Sequence, residues 1–226
     1  MAADGAVAGR CQGAGGQAVK WSILIPTLGY RQAKFLHLIN RVLLPQMTEG
    51  VEIVALHNNG ERPVGEYRQE LLHAARGDYV SFVDDDDLVA EDYVPEIVAA
   101  LESKPDVVGF EVCYTRDGGP PVRSLNSINY TPHDDWANMT LYRDLTHVQP
   151  VLTELARLGS FSQGWPEDFT WRCAVRSHLH VEVCLDKVLY YYRHTSGDSV
   201  QYGGLPNMPK PARADIDSPY FRYLEG

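Results

Sequence analysis

Tyr79-Val-Ser-Phe-Val83 runs straight into Asp84-Asp-Asp-Asp87, and this junction decides how the chain is read. A short apolar run of this kind reads as a buried strand. Four adjacent carboxylates repel one another and cannot enter a core unpaired. They are therefore held at the strand's C-terminal end, where open α/β sheets bind their ligands. The occupant that suits them is a hard divalent cation, Mn²⁺ or Mg²⁺, bridging carboxylates to phosphate oxygens. The competing reading is a solvated acidic loop tip. Such tips usually carry Gly, Ser or Lys, whereas Leu88-Val89 follow here. A calcium-binding EF-hand loop fits poorly, because no start among the four aspartates puts Gly at its sixth position.

Working outward, strands and helices alternate. Trp21-Ser-Ile-Leu-Ile25 reads as a first buried strand ended by Pro26. Arg31 to Leu44 has helical apolar spacing and stops at Pro45. Val51 to Leu56 is a second strand, closed by the turn signal His57-Asn58-Asn59-Gly60. Glu66 to Ala75 is a helix, Tyr79 to Val83 the third strand, Asp92 to Ser103 a helix and Asp106 to Tyr114 a strand. This alternation predicts a mainly parallel sheet covered on both faces. Beyond Asp117-Gly-Gly-Pro-Pro121 the pattern changes. Val122 to Arg143 reads as short strands and loops, Pro150 to Leu158 and Pro166 to His178 as helices, and Val181 to Arg193 as an extended strand. From Gly203 onward prolines dominate, and a loop or surface strap is expected.

The 226 residues suit one domain with a decorated edge. A net charge of −10 disfavours a broad electrostatic grip on nucleic acid or anionic membrane, although a local basic groove stays open. Cys11, Cys113, Cys173 and Cys184 form no CxxC and no close Cys/His pair. They read as free, mostly buried thiols of a cytoplasmic protein. No apolar run approaches a membrane span. Residues 1–19 lack the features of a signal peptide and read as a disordered tail.

With that layout in place, five segments in order resemble the inverting, family-2-type glycosyltransferases with the GT-A fold. They are Trp21-Ser-Ile-Leu-Ile-Pro26-Thr27, Gly65 through Arg68 to Gly77-Asp-Tyr79, Val83-Asp-Asp-Asp-Asp-Leu88, Trp165-Pro-Glu167-Asp168-Phe-Thr-Trp171, and Tyr190-Tyr-Tyr-Arg-His194. Each alone is a weak signal; together they cover roughly Lys20 to Ser199. The resemblance implies a Rossmann-like, mainly parallel α/β sheet flanked by helices. A single domain over 20–202 would have a nucleotide-sugar-binding half at 20–115 and an α+β acceptor half at 116–202, followed by a tail at 203–226. It implies transfer of one sugar from a UDP-, GDP- or TDP-sugar to an acceptor hydroxyl. The acceptor is open among a glycan, a lipid-linked sugar, a protein and a modified nucleobase, so a nucleic-acid acceptor is not excluded. The lack of a QxxRW-like stretch and of membrane helices argues for single-sugar transfer by a soluble enzyme.

Roles follow residue by residue from the resemblance. Asp84 and Asp86 are the spaced metal pair, with Asp85 at the variable position beside the donor and Asp87 as a further ligand. His194 is either a third ligand or a surface residue. Asp168 is the general base that inversion requires, or else a helix N-cap or first-turn acid. Trp165 and Trp171 flank it with Glu167 and suggest a sugar pocket, although Trp171 suits a core equally. His147 contacts donor phosphate or acceptor, or makes a structural hydrogen bond. Pro26, Thr27, Asn58 and Asn59 end the first two strands and should form the nucleotide-base pocket. Many relatives carry an Asp near Asn58, and an amide both donates and accepts, so the base stays open. Arg68 pairs with the diphosphate or holds the aspartate run; Arg31 is a weaker candidate of the same kind. Two other classes compete: a nucleotidyltransferase, which would want a Gly-rich basic loop after the first strand, and a non-catalytic nucleotide- or sugar-binding module. An aspartate-nucleophile phosphatase fits less well, since its acidic motif normally follows the first strand.

Overall fold

The structure, a computed structural model, describes residues 20–164, 166–196, 216 and 218–224. Strands β1 (Trp21–Leu28), β2 (Val51–Asn58) and β3 (Tyr79–Phe82) lie parallel with β1 between the other two. Side chains of a strand point alternately to opposite faces. In β1, Trp21, Ile23 and Ile25 enter one apolar cluster, and Leu24 enters the other. This run, apolar apart from buried Ser22, is thus a strand buried on both sides.

Helix α1 (Gln32–His37) continues through a wider π turn at Leu38–Leu43 and a tight 3-10 turn at Leu44–Gln46, where Pro45 sits. Its Phe35 packs on the first cluster together with Tyr93 and Ile97 of α3 (Tyr93–Leu101). Helix α2 (Val64–Ala74) covers the opposite face through Tyr67, Leu71 and Leu72. Gly77 then slips between α2 and β3. A Cβ there would lie 2.6 Å from the backbone nitrogen of Ser22, so the approach to β1 demands glycine.

The remaining strands are β4 (Leu88–Val89), β5 (Val107–Arg116), β6 (Val122–Asn126), β7 (His133–Asp135), β8 (Thr140–Arg143), β9 (Val151–Leu152), β10 (Glu182–His194) and β11 (Phe221–Leu224). The sheet order is β11-β2-β1-β3-β9-β5-β6-β8-β7, with β10 parallel to β5 and antiparallel to β4. Helices α4 (Thr153–Ala156) and α5 (Glu167–Arg176) complete the chain's second half. This is the GT-A-like α/β architecture, with a central, largely parallel sheet flanked by helices.

Several expectations need correction. Pro26 does not end β1, which pairs with β2 as far as Leu28↔Asn58. Pairing with β3 stops at Leu24↔Phe82, so beyond that point β1 is locally an edge, where proline is admitted. The segment expected as one helix from Pro150 opens instead with β9, which bridges β3 and β5. Within the stretch expected as loop or strap, Phe221–Leu224 forms β11 and extends the sheet beside β2. Cys113, Cys173 and Cys184 are free as expected, but Cys173 and Cys184 are exposed rather than buried. Residues 1–19, expected as a disordered tail and including Cys11, and residues 203–215 of the expected C-terminal strap lie outside the described residues. Among the described residues, no helix is long and apolar enough to cross a membrane.

Candidate active site

The C-terminal ends of β1, β2 and β3 open onto a cleft of about 490 Å³. Pro26, Thr27 and Asn58 form one wall, the four aspartates its floor, Arg68 and Glu167 the second wall, and Tyr192 to Thr195 the rim.

The aspartates alternate. Asp84 and Asp86 keep 18% of their side-chain surface, whereas Asp85 and Asp87 are almost wholly buried. Asp85 turns under β1. It accepts hydrogen bonds from the Thr27 hydroxyl (3.0 Å), the Leu28 amide (2.9 Å) and Arg31 (3.1 Å). Burial pushes its pKa up to about 6 against the pull of Arg31. Asp85 therefore shapes the cleft wall from behind. Asp87 turns towards β10. One oxygen accepts from the Tyr190 hydroxyl at 2.8 Å and the other from the Arg193 amide at 2.7 Å. Burial, then the neighbouring Asp84 charge, pushes its pKa up to about 8. With both oxygens engaged in the fold, Asp87 is a tie to β10, and the expectation that it is a ligand is not carried forward. Tyr190 also accepts from the Asp84 amide at 3.1 Å, so one phenol locks the loop to β10.

The two outward carboxylates are matched by cations. Arg31 lies 2.8 Å from Asp86, and Arg68 lies 2.9 Å from Asp84 and 3.5 Å from Glu167. Burial works against the Asp84 charge, but Arg68 and then His147 hold its pKa well below the usual carboxylate range. Arg68 is 4% exposed, not the solvated helix residue that was the alternative. Its Nε and Nη1 have no hydrogen-bond partner among the described residues.

Asp168 lies in the first turn of α5, whose cap position is Pro166 and which has no side-chain cap. Asp168 is therefore a first-turn acid of α5 and not its N-cap. Its Oδ2 accepts from His147 Nδ1 at 3.0 Å, and His147 Nε2 lies 3.4 Å from Asp84 Oδ2. Burial raises the Asp168 pKa, but the His147 hydrogen bond and charge outweigh it and leave it at about 2. Burial and Arg68 lower the His147 pKa, yet Asp168 and Asp84 lift it to about 9. His147 thus bridges two carboxylates.

Other expected residues sit differently. Trp171 is in the core, 2% exposed, stacked on Phe161 with ring centres 5.3 Å apart, and its indole N–H donates to Ala156 at 2.9 Å. It lines no sugar pocket. Trp165 lies outside the described residues. Asn58 lines the cleft, but its side-chain oxygen accepts from the Gly60 amide and its nitrogen donates to the Arg62 carbonyl. Asn59 holds His57 at 2.6 Å and is not part of the cleft wall. His194 lines the rim, but no group of three His, Cys, Asp or Glu among the described residues is arranged to hold a metal. His194 is thus not assembled with Asp84 and Asp86 as a third ligand. The sequence reading missed Tyr190 and the bridging place of His147. The aspartates lie in a turn closed by the Asp87 amide donating to the Asp84 carbonyl at 3.1 Å, so their alternate burial follows from distant partners and had no signal within the run itself.

Comparison with known proteins bears on the fold and the family. The Staphylococcus aureus TarS fragment 1–349 superimposes with a TM-score of 0.56 at 18% identity, covering 77% of this chain and 60% of TarS 1–349. Its complex with UDP-GlcNAc gives 0.58 at 18% identity, with coverages of 79% and 60%. Its complex with UDP gives 0.58 at 18% identity, with coverages of 77% and 60%. The chain therefore spans three-fifths of that neighbour's length, and at such identity the likeness speaks to the fold. No curated protein sequence matches the chain. The model described as Glycosyl transferase family 2 matches residues 39–153, just over half of the chain, and the protein belongs to that family.

Proposed function

We propose that this domain transfers one sugar from a nucleotide diphosphate donor to an acceptor hydroxyl, with inversion and with the help of Mn²⁺ or Mg²⁺. The observation that carries the reading is a cleft with outward-facing Asp84 and Asp86 at its floor and Glu167 on its wall, with Asp168, next to Glu167 but not itself a lining residue, joined to Asp84 through the single imidazole of His147.

The residues fit a hard cation. Such ions commonly take one or two carboxylates and complete their shell with substrate phosphates and water. Asp84 and Asp86 supply the two carboxylates, and a diphosphate would supply the rest. When bound there, the ion would stabilise the departing diphosphate as a Lewis acid. Arg68 offers an anion two buried donors that have no hydrogen-bond partner among the described residues, and Arg31 stands beside Asp86. Pro26, Thr27 and Asn58 provide the wall for the nucleoside. The complexes of TarS with UDP and UDP-GlcNAc make a uridine nucleotide the first donor to try.

Asp168 is the proposed base. It is ionised at neutral pH, as its low pKa requires, and would take the proton of the acceptor hydroxyl as the new bond forms. A single displacement of this kind inverts the anomeric centre. Exposed free Cys173 and Cys184 suit a cytoplasmic setting, where thiols stay reduced.

The test is thermal shift with UDP, GDP, TDP, CDP and ADP, each with Mn²⁺ and with EDTA. At a hundredfold excess over Kd, a ligand stabilises by about 2.7 kcal/mol. At least one diphosphate should raise Tm only with the metal. Identical curves throughout would count against donor binding.

A further inference from the structure

We propose that His147 is a positioning residue that fixes the carboxylate of Asp168 for proton abstraction. The inference rests on the glycosyl-transfer reading above and adds a role to it.

Asp168 sits on α5, whereas the aspartate floor follows β3. His147 joins the two. Its own carbonyl accepts from the Phe82 amide at 2.9 Å, so its backbone is fastened to the last residue of β3. Thr146 and Gln149 close a small turn around it, with the Thr146 amide donating to the Gln149 side chain at 2.8 Å. The Phe82 ring meets the imidazole edge-on at 6.2 Å. The ring is thereby held on the same strand end that carries Asp84.

A carboxylate only accepts, so Nδ1 donates to Asp168 Oδ2 across their 3.0 Å separation. Among the described residues, His147 is the only side chain hydrogen-bonded to Asp168. The neighbouring Glu167 is held separately, by Arg68. Without His147 the Asp168 carboxylate has only its own helix to orient it, and its rotamers become free. A base must stand within hydrogen-bond reach of the hydroxyl it deprotonates, and a misplacement of about 1 Å can cost on the order of a hundredfold in rate. His147 also reaches Asp84, but that contact, at 3.4 Å, is the looser of the two.

Two readouts test this on the full chain. The first is independent of turnover. In long-range proton–nitrogen spectra, His147 Nδ1–H should give a signal protected from exchange, and Asp168→Ala should abolish that protection. A signal indifferent to Asp168→Ala overturns the proposal. The second uses hydrolysis of whichever UDP-, GDP- or TDP-sugar the wild type turns over with Mn²⁺. An asparagine amide nitrogen stands near the place of Nδ1, and a glutamine amide nitrogen reaches that of Nε2. His147→Ala and His147→Gln should each lower kcat by roughly a hundredfold, with unchanged affinity for the matching nucleoside diphosphate. His147→Asn should recover most of the loss. Adding His147→Ala to Asp168→Asn should cost nothing further, because groups acting as one unit are not additive. Equal effects of Asn and Gln, additive losses, or a loss in donor affinity would each overturn it. If the wild type hydrolyses none of these donors, the glycosyl-transfer reading falls and the positioning role with it. If the wild type is active, Asp168→Asn is dead and His147→Ala is normal, only the positioning role falls.

Discussion

Replacing Arg68 by Met should destabilise the protein by about 3 kcal/mol through the charge left behind. Arg68 is nearly fully buried, and its Nη2 serves both Asp84 and Glu167. Its guanidinium lies 5.6 Å from the centre of the Phe82 ring. Methionine keeps the stem and most of that packing, so the change isolates the charge. Breaking a buried pair by removing one partner costs roughly 3–5 kcal/mol. Asp84 retains some water and keeps His147, which places the loss at the lower end. For a domain of this size that is a fall in Tm of about 6–12 °C. Arg68→Lys keeps the charge but shortens the reach of the single nitrogen that meets both carboxylates, and should cost about 1–2 kcal/mol. Urea unfolding with unchanged m-values measures both. The sharper control is Arg68→Met combined with Asp84→Asn. Removing Asp84's charge together with Arg68 removes the nearer of the two stranded carboxylates and leaves only Glu167, so the double variant should be more stable than Arg68→Met alone. A loss below about 1 kcal/mol for Arg68→Met, or strictly additive losses in the double variant, would refute the reasoning.

Further outcomes follow from the same site. Asp86→Asn should lower transfer by about a hundredfold or more and make the residual rate insensitive to EDTA, read by coupled release of nucleoside diphosphate. Trp171→Ala should cost about 3–5 kcal/mol in chemical unfolding, the usual range for a large core aromatic, while the affinity of the remaining folded protein for nucleotide stays the same. Asp87→Ala strands the Tyr190 hydroxyl and the Arg193 amide, at about 1–3 kcal/mol each, whereas Asp87→Asn keeps an acceptor and should cost less. Calorimetric titration with Mn²⁺ and nucleoside diphosphate should show far smaller changes for Asp87→Asn than for Asp86→Asn.

The first half of the fold was legible because its strands are buried on both faces. Trp21 to Ile25 and Val51 to Leu56 are apolar apart from Ser22 and Glu52, near-continuous runs that a half-exposed strand would not carry. The ends were less legible, because they depend on which neighbour is present. Pro26 reads as a stop until β3 is seen to turn away. Phe221–Leu224 is too short to stand out after a proline-rich stretch, and it is a strand only because β2 offers an edge. At the site, the aspartate run announced carboxylate chemistry. Its division into two outward and two inward residues came from partners far along the chain, Thr27, Arg31 and Tyr190. Trp171 beside Glu167-Asp168 looked like a sugar platform, but the helical turn that aims Asp168 at His147 aims Trp171 at Phe161. His147 carried no local signal, since its two partners lie 63 and 21 residues away.

The central claim is a single displacement at the anomeric carbon assisted by Asp168, and it needs no knowledge of the acceptor to be tested. Water can serve in place of the acceptor hydroxyl. Proton NMR of an active nucleotide sugar with Mn²⁺, recorded before the released sugar mutarotates, shows which anomer appears first. The account predicts the anomer inverted relative to the donor, formed by the wild type and slowed roughly a hundred- to ten-thousandfold in Asp168→Asn. The retained anomer appearing first, or an undiminished rate in Asp168→Asn, would contradict it.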